Sequence, residues 1–293
     1  MASSARRLVF RGVLQVEESL LPPIPPGHVL VRVVAAGWTG VEQGVARSII
    51  WLEHGRVVGH TGFGFVVKRG ARSSIPEGSL VVQDSVTPSG LHPGLHIDGW
   101  LAEYTALPES SLKVLDRSAC DGREAFCALL YPMGIGVAAV EEARGSLTVI
   151  GCGVSGLAAA LYAKSLGIRA ELYCVNDTGL EWARRLGLEA RLADGVESVE
   201  TDTIYLSSID PHAVTIVERS SHILTLLHPI YSYWPPPRTR SGEVRIVGLA
   251  WIERVLKERE VLEKLAALAG EASLEALPGL HDKPAYYVRL STQ

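Results

Sequence analysis

The sequence predicts an α/β fold in two parts, a β-rich part followed by a doubly wound parallel sheet. Short β-branched runs separated by Pro and Gly fill residues 1 to about 120. From about residue 121, helix-type segments alternate with strand-type segments, which is the pattern of a parallel sheet. The 293 residues, 47% of them hydrophobic, provide enough length and apolar surface for two domains.

The β-rich part is indicated by runs such as "HVLVRVVAAG" and "GSLVVQDSV", with punctuation such as "LPPIPPG" between them. Several strands at this short spacing favour a small barrel-like domain.

The second part reads as strand "LTVI", helix "GLAAALYAKSLG", strand "AELYCV", helix "GLEWARRLG", strand "DTIYLS", a short helix and strand "HILTLL". This order predicts a doubly wound sheet. After the Pro-rich loop "YSYWPPPRTRSG", the segment "WIERVLKEREVLEKLAALAG" has apolar residues at helical spacing. The last segment, "PAYYVRLSTQ", is predicted to be a strand that returns to the first domain.

Composition and charge argue for a small-molecule ligand. The net charge is −4 and no Lys/Arg run is present, so we expect no nucleic-acid partner. No apolar run approaches the roughly 18 to 20 residues of a membrane span, and charged residues interrupt the N-terminal segment, so we expect a cytoplasmic protein. The four cysteines lack C-x-x-C spacing and are expected to be reduced, inert thiols: Cys120, Cys127, Cys152 and Cys174.

A glycine motif follows the strand "LTVI". Gly151 permits a tight turn, Gly153 lets the backbone approach a pyrophosphate, and Gly156 allows the next helix to pack closely on the strand. The first residues of that helix, Val154 and Ser155, would offer amide N–H groups to the anion. A purely structural glycine turn is the alternative.

Three further residues complete the predicted cofactor site. The second strand ends in "YCVND", where Asn176 or Asp177 could bind the adenosine ribose. Asp177 would repel a 2′-phosphate, so NAD is favoured over NADP, although Asp177 could instead be a helix N-cap. Ser207, after the strand "DTIYLS", is also a cofactor-binding candidate.

The whole chain resembles the medium-chain dehydrogenase/reductase superfamily, the group of alcohol, sorbitol and glucose dehydrogenases. Besides the glycine motif, the resemblance runs through "PPGHVLVRVVAAGWTGVEQGVARS", "VVGHTGFGFVVKRG", "IPEGSLVVQDSV", "DGWLAEYTALPESSLKVLD" and "LLYPMGIGVAAVEEA". It implies a GroES-like catalytic domain (1–130), a Rossmann dinucleotide-binding domain (131–250) and a helix and strand (251–293) that return to the catalytic domain. It also implies an active site between the domains and a homo-oligomer.

Many members of this superfamily hold a catalytic zinc, and the resemblance places its usual ligands at positions that have changed here. Thr39 stands at the Cys position, His60 at the His of "GHE", Thr61 at the following Glu, and Tyr131 at the Glu of "EPL". One imidazole among hydroxyl groups is a poor zinc site, so we expect no catalytic zinc. The structural zinc is also expected to be absent, because the loop "TPSGLHPGLHID" has no cysteine.

We therefore take Tyr131, His60 and Thr39 as candidate catalytic residues that handle protons, because phenol and imidazole groups can act as acids or bases. The structural alternatives remain open: His60 bonded to a backbone carbonyl, Tyr131 filling the space of the metal, and Thr39 holding a loop. Glu42, at the position of the aspartate in "GTD", is expected to anchor the loop.

The leading hypothesis is a zinc-independent NAD(P)-dependent oxidoreductase acting on a small carbonyl, alcohol or activated alkene. One rival is a protein that binds the dinucleotide without catalysis, as a sensor or scaffold. Another is an enzyme in which His92 and His96 rebuild a metal site with His60; the simpler interpretation of these loop histidines is that they are solvated.

Overall fold

The structure is a computed structural model that describes residues 4–239 and 242–291. Its strands are β1 (Ser4–Phe10), β2 (Leu14–Leu20), β3 (His28–Trp38), β4 (Gly62–Arg69), β5 (Leu80–Gln83), β6 (Tyr104–Pro108), β7 (Leu112–Leu115), β8 (Leu147–Ile150), β9 (Ala170–Cys174), β10 (Ala190–Leu192), β11 (Thr203–Leu206), β12 (Leu224–Leu227), β13 (Glu243–Ile246), β14 (Gly270–Glu271) and β15 (Tyr286–Arg289). Its α-helices are α1 (Gly40–Ala46), α2 (Glu124–Ala128), α3 (Leu130–Glu142), α4 (Val154–Ser165), α5 (Asp177–Arg185), α6 (Pro211–Arg219), α7 (Ile252–Lys257) and α8 (Arg259–Ala266).

The chain divides into two compact units. The first contains the described residues up to Tyr131, together with Ala269–His281 and the described residues from Ala285 onward. The second contains Pro132–Leu268 and Asp282–Pro284.

The first unit is built on an antiparallel sheet centred on β3. The strand order is β14-β15-β3-β4-β5-β7, and β6 also pairs with β3. Within this sheet, β15 runs antiparallel to β3, while β14 and β15 are parallel. Trp100 packs over Gly62 at the start of β4, where an added Cβ would lie 2.8 Å from the indole ring. The indole N–H of Trp100 donates to Gln83 Oε1, which satisfies a polar group in this core.

The second unit is a parallel six-stranded sheet in the order β10-β9-β8-β11-β12-β13. This is the doubly wound order in which the first strand lies at the centre and the chain then builds outward on either side. Ligands of such sheets bind beyond the carboxyl ends of the strands near the reversal point, here between β8 and β11. The predicted fold class, a GroES-like β-rich domain plus a Rossmann domain, is confirmed.

Two helical segments differ from the sequence-based expectation. The helix-type segment expected from about residue 121 is divided at Leu129 into α2 and α3. The segment expected to return as a whole to the first domain (251–293) also divides: α7 and α8 group with the second unit, while β15 belongs to the first. The physical reason is that Leu262 and Leu265, the apolar face of α8, are buried as α8 packs on α4.

Among the described residues, no helix has both the length and the apolar character that a membrane crossing requires.

Candidate functional site

A buried carboxylate and a buried imidazole form the centre of the candidate site in the first unit. Glu42 lies in α1 and His60 shortly before β4, and each is 1% exposed. Oε1 of Glu42 lies 2.6 Å from Nδ1 of His60 and accepts the backbone N–H of His60 at 2.9 Å. Because an ionised carboxylate can only accept, Nδ1 of His60 carries a hydrogen and donates it to Glu42.

The other carboxylate oxygen of Glu42 binds Thr39. The backbone N–H and the hydroxyl of Thr39 donate to Oε2 at 2.9 and 3.1 Å. Burial raises the pKa of Glu42, but the charge and hydrogen bond of His60, together with the Thr39 and His60 amides, outweigh burial and hold this pKa below its ordinary value. Glu42 is therefore an ionised anchor with four donors, and the Thr39 hydroxyl hydrogen is directed at it.

Tyr131 and His92 complete a cluster of three rings with His60. The ring centroids are 5.9 Å apart for His60 and Tyr131, and 5.7 Å apart for His92 with either ring. The Tyr131 hydroxyl lies 3.3 Å from Nε2 of His92. The structure thus brings the three catalytic candidates, Tyr131, His60 and Thr39, into the same part of the first unit, with Glu42 linking Thr39 to His60.

The expectation that His92 is solvated is wrong. His92 is 1% exposed, and burial together with the nearby charge of His60 lowers its pKa to about 3. The second loop histidine, His96, is half-buried, and its Nδ1 accepts the backbone N–H of His92 at 2.9 Å.

Glycines explain how the loop that carries His92 comes close to His60. Gly59 has φ +104° and Gly94 has φ +80°, values that L-residues rarely adopt. A Cβ on Gly94 would lie 2.5 Å from the carbonyl carbon of Gly59, and a Cβ on Gly99 would lie 2.1 Å from its oxygen. The two backbone segments are therefore in direct contact, which places His92 beside His60. The sequence signal for this approach is Gly94 two residues after His92.

The side chains present do not fit the zinc that the resemblance implies. Among the described residues, no group of three or more His, Cys, Asp or Glu side chains is placed to hold a metal ion. The hydroxyl of Thr61 donates to the Ala128 carbonyl at 2.8 Å, and that of Thr39 donates to Glu42. Both oxygens of Glu42 already accept hydrogens from Thr39 and His60. The remaining donor set, two imidazoles and a phenol, therefore falls short of the three imidazole, carboxylate or thiolate ligands of a catalytic zinc site.

The second candidate region is the loop between β8 and α4. Gly151 has φ +114°, and its carbonyl accepts the hydroxyl of Ser207 at 2.9 Å. A Cβ on Gly156 would lie 1.9 Å from that carbonyl oxygen, so only glycine allows α4 to pack this closely on the loop. Ser207, directly after β11, therefore binds the backbone of this loop. The structure explains why positions 151 and 156 are glycines: Gly151 has a positive φ, and Gly156 has no room for a side chain.

Nothing in the described part of the chain requires a glycine at position 153. Its φ of −74° is open to any residue, and a Cβ there would meet nothing within 4 Å. Gly153 is the N-cap of α4, whose first residues Val154 and Ser155 are buried. Open space at this position is what a dinucleotide-binding loop requires, because the pyrophosphate occupies it.

At the end of β9, Asn176 and Asp177 are both exposed. Asn176, and not Asp177, is the N-cap of α5, and its side-chain oxygen accepts the Gly179 N–H at 2.8 Å. Asp177 is the first residue of α5. The capping alternative considered for Asp177 therefore applies to its neighbour.

The expectation of reduced thiols is wrong for this structure. Cys152 is bonded to Cys174 and Cys120 to Cys127, with Cα atoms 4.9 and 5.8 Å apart. Cys152 lies inside the glycine motif and Cys174 ends β9, so this disulfide joins the two loops in which the cofactor-binding candidates lie. Sequence spacing alone could not reveal this pair, because the two residues are adjacent only through the pairing of β8 with β9.

Comparisons with known proteins agree with this architecture. The L-threonine 3-dehydrogenase of Bacillus velezensis is 28% identical over 217 residues, which are 64% of this chain and 62% of that protein. The chain thus matches less than two thirds of the length of this curated relative. No protein-family profile matches the sequence.

Two solved structures share the fold over nearly the whole chain. An alcohol dehydrogenase zinc-binding domain protein from Burkholderia ambifaria has a TM-score of 0.74 at 15% identity, covering 99% of both chains. Haloferax mediterranei glucose dehydrogenase, in complex with NADP, Zn and gluconolactone, has a TM-score of 0.71 at 19% identity, covering 99% of this chain and 100% of that one.

A GroES-like unit and a Rossmann unit with a glycine fingerprint are the architecture that this chain shares with these solved structures. In sequence and fold, the chain is similar to medium-chain threonine, alcohol and glucose dehydrogenases.

Proposed function

We propose that the protein is a nicotinamide-dinucleotide-dependent oxidoreductase that transfers a hydride to or from a small carbonyl, alcohol or activated alkene without zinc. The observation that carries this proposal is Gly153, a position at which the described part of the chain supplies no steric or conformational reason for a glycine. A bound dinucleotide supplies the reason, and the same group supplies the hydride chemistry when bound. The NADP complex of the Haloferax enzyme supports the choice of ligand class.

NAD is the cofactor favoured by the end of β9. Asp177 carries a negative charge where the 2′-phosphate of NADP would have to lie, and repulsion between the two would weaken NADP binding. Asn176 already uses its side-chain oxygen on the Gly179 amide, so Asp177 is the hydrogen-bond acceptor proposed for the ribose hydroxyls. Fluorescence titrations with NADH and NADPH test this preference: Asp177→Ser is expected to narrow the difference between the two dissociation constants.

The absence of zinc is supported by the chemistry of the first unit. His60 is oriented by Glu42, and its ring lies beside Tyr131 and His92 at the position where relatives are expected to hold a metal. An oriented imidazole and a phenol can hold or pass a proton at the oxygen of the substrate, the task that remains once a dinucleotide moves the hydride. Thr39 takes part by fixing Glu42.

Hydride transfer tests the proposal directly. Purified protein is incubated with NADH or NADPH and a panel of aldehydes, ketones and enones, and with NAD or NADP and the matching alcohols, while absorbance at the nicotinamide band is followed. The proposal expects turnover with at least one class, and a strong loss of rate in Tyr131→Phe and His60→Gln. Equal rates in these two variants and the parent would refute the proposal that Tyr131 and His60 hold or pass the proton.

The same panel distinguishes the proposed enzyme from the rival, a protein that binds the dinucleotide without catalysis. A protein that binds the dinucleotide tightly and transfers hydride to none of these compounds is a sensor or scaffold. Size-exclusion chromatography with light scattering, run on the same sample, tests the homo-oligomer that the resemblance implies.

A further inference from the structure

The strongest further observation concerns His92, which the resemblance did not predict as part of the site. Its ring is buried between polar partners: Nδ1 lies 2.8 Å from the carbonyl oxygen of Pro93, and Nε2 lies 3.3 Å from the hydroxyl oxygen of Tyr131. Both distances are within hydrogen-bond range.

These contacts fix the tautomer of His92. A carbonyl oxygen can only accept, so Nδ1 must carry the hydrogen and donate it to Pro93. Full burial disfavours a charged imidazolium. The two hydrogen-bond partners of the ring nitrogens, the Pro93 carbonyl and the Tyr131 hydroxyl, carry no negative charge that would stabilise one. The ring is therefore neutral, and its Nε2 is a hydrogen-bond acceptor. The Tyr131 hydroxyl is then the donor in their hydrogen bond.

We propose that His92 is a positioning residue that holds the hydroxyl hydrogen of Tyr131, so that the phenol oxygen accepts a hydrogen bond from the hydroxyl group of an alcohol substrate. A phenol has one hydrogen, and once it is directed at His92 any further partner of that oxygen must be a donor. An alcohol has such a hydrogen and a ketone does not. A ketone would be bound by this phenol only after the bond to His92 breaks. The substrate clause rests on the proposed function; the hydrogen bond itself does not.

The loop around His92 is organised to hold this ring still. The His92 carbonyl accepts the backbone N–H groups of Leu95 and His96 at 3.1 and 2.9 Å, and the His92 N–H donates to Nδ1 of His96. Gly94 packs against the backbone of Gly59, where no side chain fits. Every backbone polar group of His92 is thereby paired, and its ring direction follows from a fixed backbone.

Nuclear magnetic resonance of protein labelled with 15N-histidine tests the hydrogen bond without any substrate. The His92 signals are assigned by their loss in His92→Gln. We expect the Nδ1–H tautomer at neutral pH and a clear shift of the His92 Nε2 resonance in Tyr131→Phe, because the donor is removed. An Nε2–H tautomer, an imidazolium, or an Nε2 resonance unchanged in Tyr131→Phe would overturn the proposal.

Steady-state kinetics with a matched pair of probes, cyclohexanol and cyclohexanone, test the substrate clause. His92→Leu is expected to raise KM for the alcohol at least tenfold more than KM for the ketone. His92→Gln, which keeps an acceptor, is expected to restore the alcohol KM to within about threefold of the parent, and Tyr131→Phe should abolish the effect of His92→Leu. Equal changes in both KM values would overturn the clause.

The two experiments separate two kinds of failure. Wild-type protein that transfers hydride to or from none of the compounds in the panel refutes the proposed function and the substrate clause with it, whereas protein that reduces a ketone or an enone but oxidises no alcohol refutes the substrate clause alone. The histidine spectrum still decides whether His92 orients Tyr131.

Discussion

Oε1 of Glu42 lies 2.6 Å from Nδ1 of His60, and both side chains are almost fully buried. The same carboxylate binds the N–H of His60 and two donors of Thr39. This pairing orients the histidine that the resemblance places at a metal site.

Glu42→Gln is expected to destabilise the protein by about 3 kcal/mol, because it removes a buried charged acceptor on which four buried donors depend. The physical reason is that all four neighbours of the carboxylate are donors, so the amide NH2 of glutamine would face donors with no acceptor. Urea unfolding measures the change. Glu181→Gln is the matched control, because its ion pair with Arg185 is exposed and contributes little; similar losses in both variants would contradict the assignment.

The stability of the protein is expected to fall in acid partly through His92. Its pKa is held at about 3 in the folded protein, below the ordinary value of 6.5, so the unfolded chain binds a proton more readily between these values. The contribution of the neutral ring is complete above about pH 6.5 and is lost as the pH falls toward 3, at up to about 1.4 kcal/mol per pH unit. The lowered pKa of Glu42 acts in the same direction at lower pH.

Urea unfolding at pH 7, 6, 5 and 4 isolates the His92 contribution when the parent is compared with His92→Gln. The variant has no imidazole to protonate at this position, so its stability should decline less steeply between pH 6.5 and 4. Parallel declines in the two proteins would show that His92 is protonated equally in the folded and unfolded states.

Two alanine substitutions in the glycine motif should affect different properties, one of them NADH binding and the other stability. Gly153→Ala places a methyl group in open space and should change stability by no more than about 0.5 kcal/mol while weakening NADH binding at least about tenfold. Gly156→Ala places a methyl group 1.9 Å from the Gly151 oxygen and should destabilise the fold by about 1–3 kcal/mol. Thermal unfolding and NADH fluorescence titration, run on both variants, measure the contrast. Unimpaired NADH binding by Gly153→Ala would argue against a dinucleotide at this loop.

The disulfide between Cys152 and Cys174 should support cofactor binding as well as stability. Closing a loop of this size stabilises by about 3 kcal/mol, and here the bond also fixes two loops of the candidate cofactor site relative to each other. Cys152→Ala is expected to lower the melting temperature and weaken NADH binding several-fold. Cys120→Ala removes the other disulfide, which lies in the first unit, and should lower stability without changing NADH affinity; an equal loss of affinity in both variants would contradict this role.

The fold and the glycine loop between β8 and α4 could be predicted from the sequence because their signals are local. The alternation of strands and helices determines the parallel sheet, and the spacing of Gly151, Gly153 and Gly156 follows from one turn of backbone. The packing of α8 in the second unit could not be predicted, because an amphipathic sequence pattern indicates that one face of a helix is buried but does not indicate which element covers it.

The cluster in the first unit could be predicted only in part. The resemblance placed Tyr131 and His60 by their positions, but His92 lies in a loop with no regular pattern, and its burial depends on the contact of Gly94 with Gly59. The disulfide of Cys152 likewise arises from strand pairing between residues 22 positions apart. Long-range contacts of this kind leave no periodic signal in a single sequence.

Dependence on zinc tests the central proposal, a zinc-independent oxidoreductase, most directly. The rate of nicotinamide oxidation or reduction is measured on protein dialysed against a strong chelator, before and after addition of one equivalent of zinc. The same rate is expected in both samples, because the oxygens of Glu42 bind Thr39 and His60 and the proposed proton transfer uses no metal. A rate that rises tenfold or more with zinc, and that loses this response in His60→Gln, would contradict it.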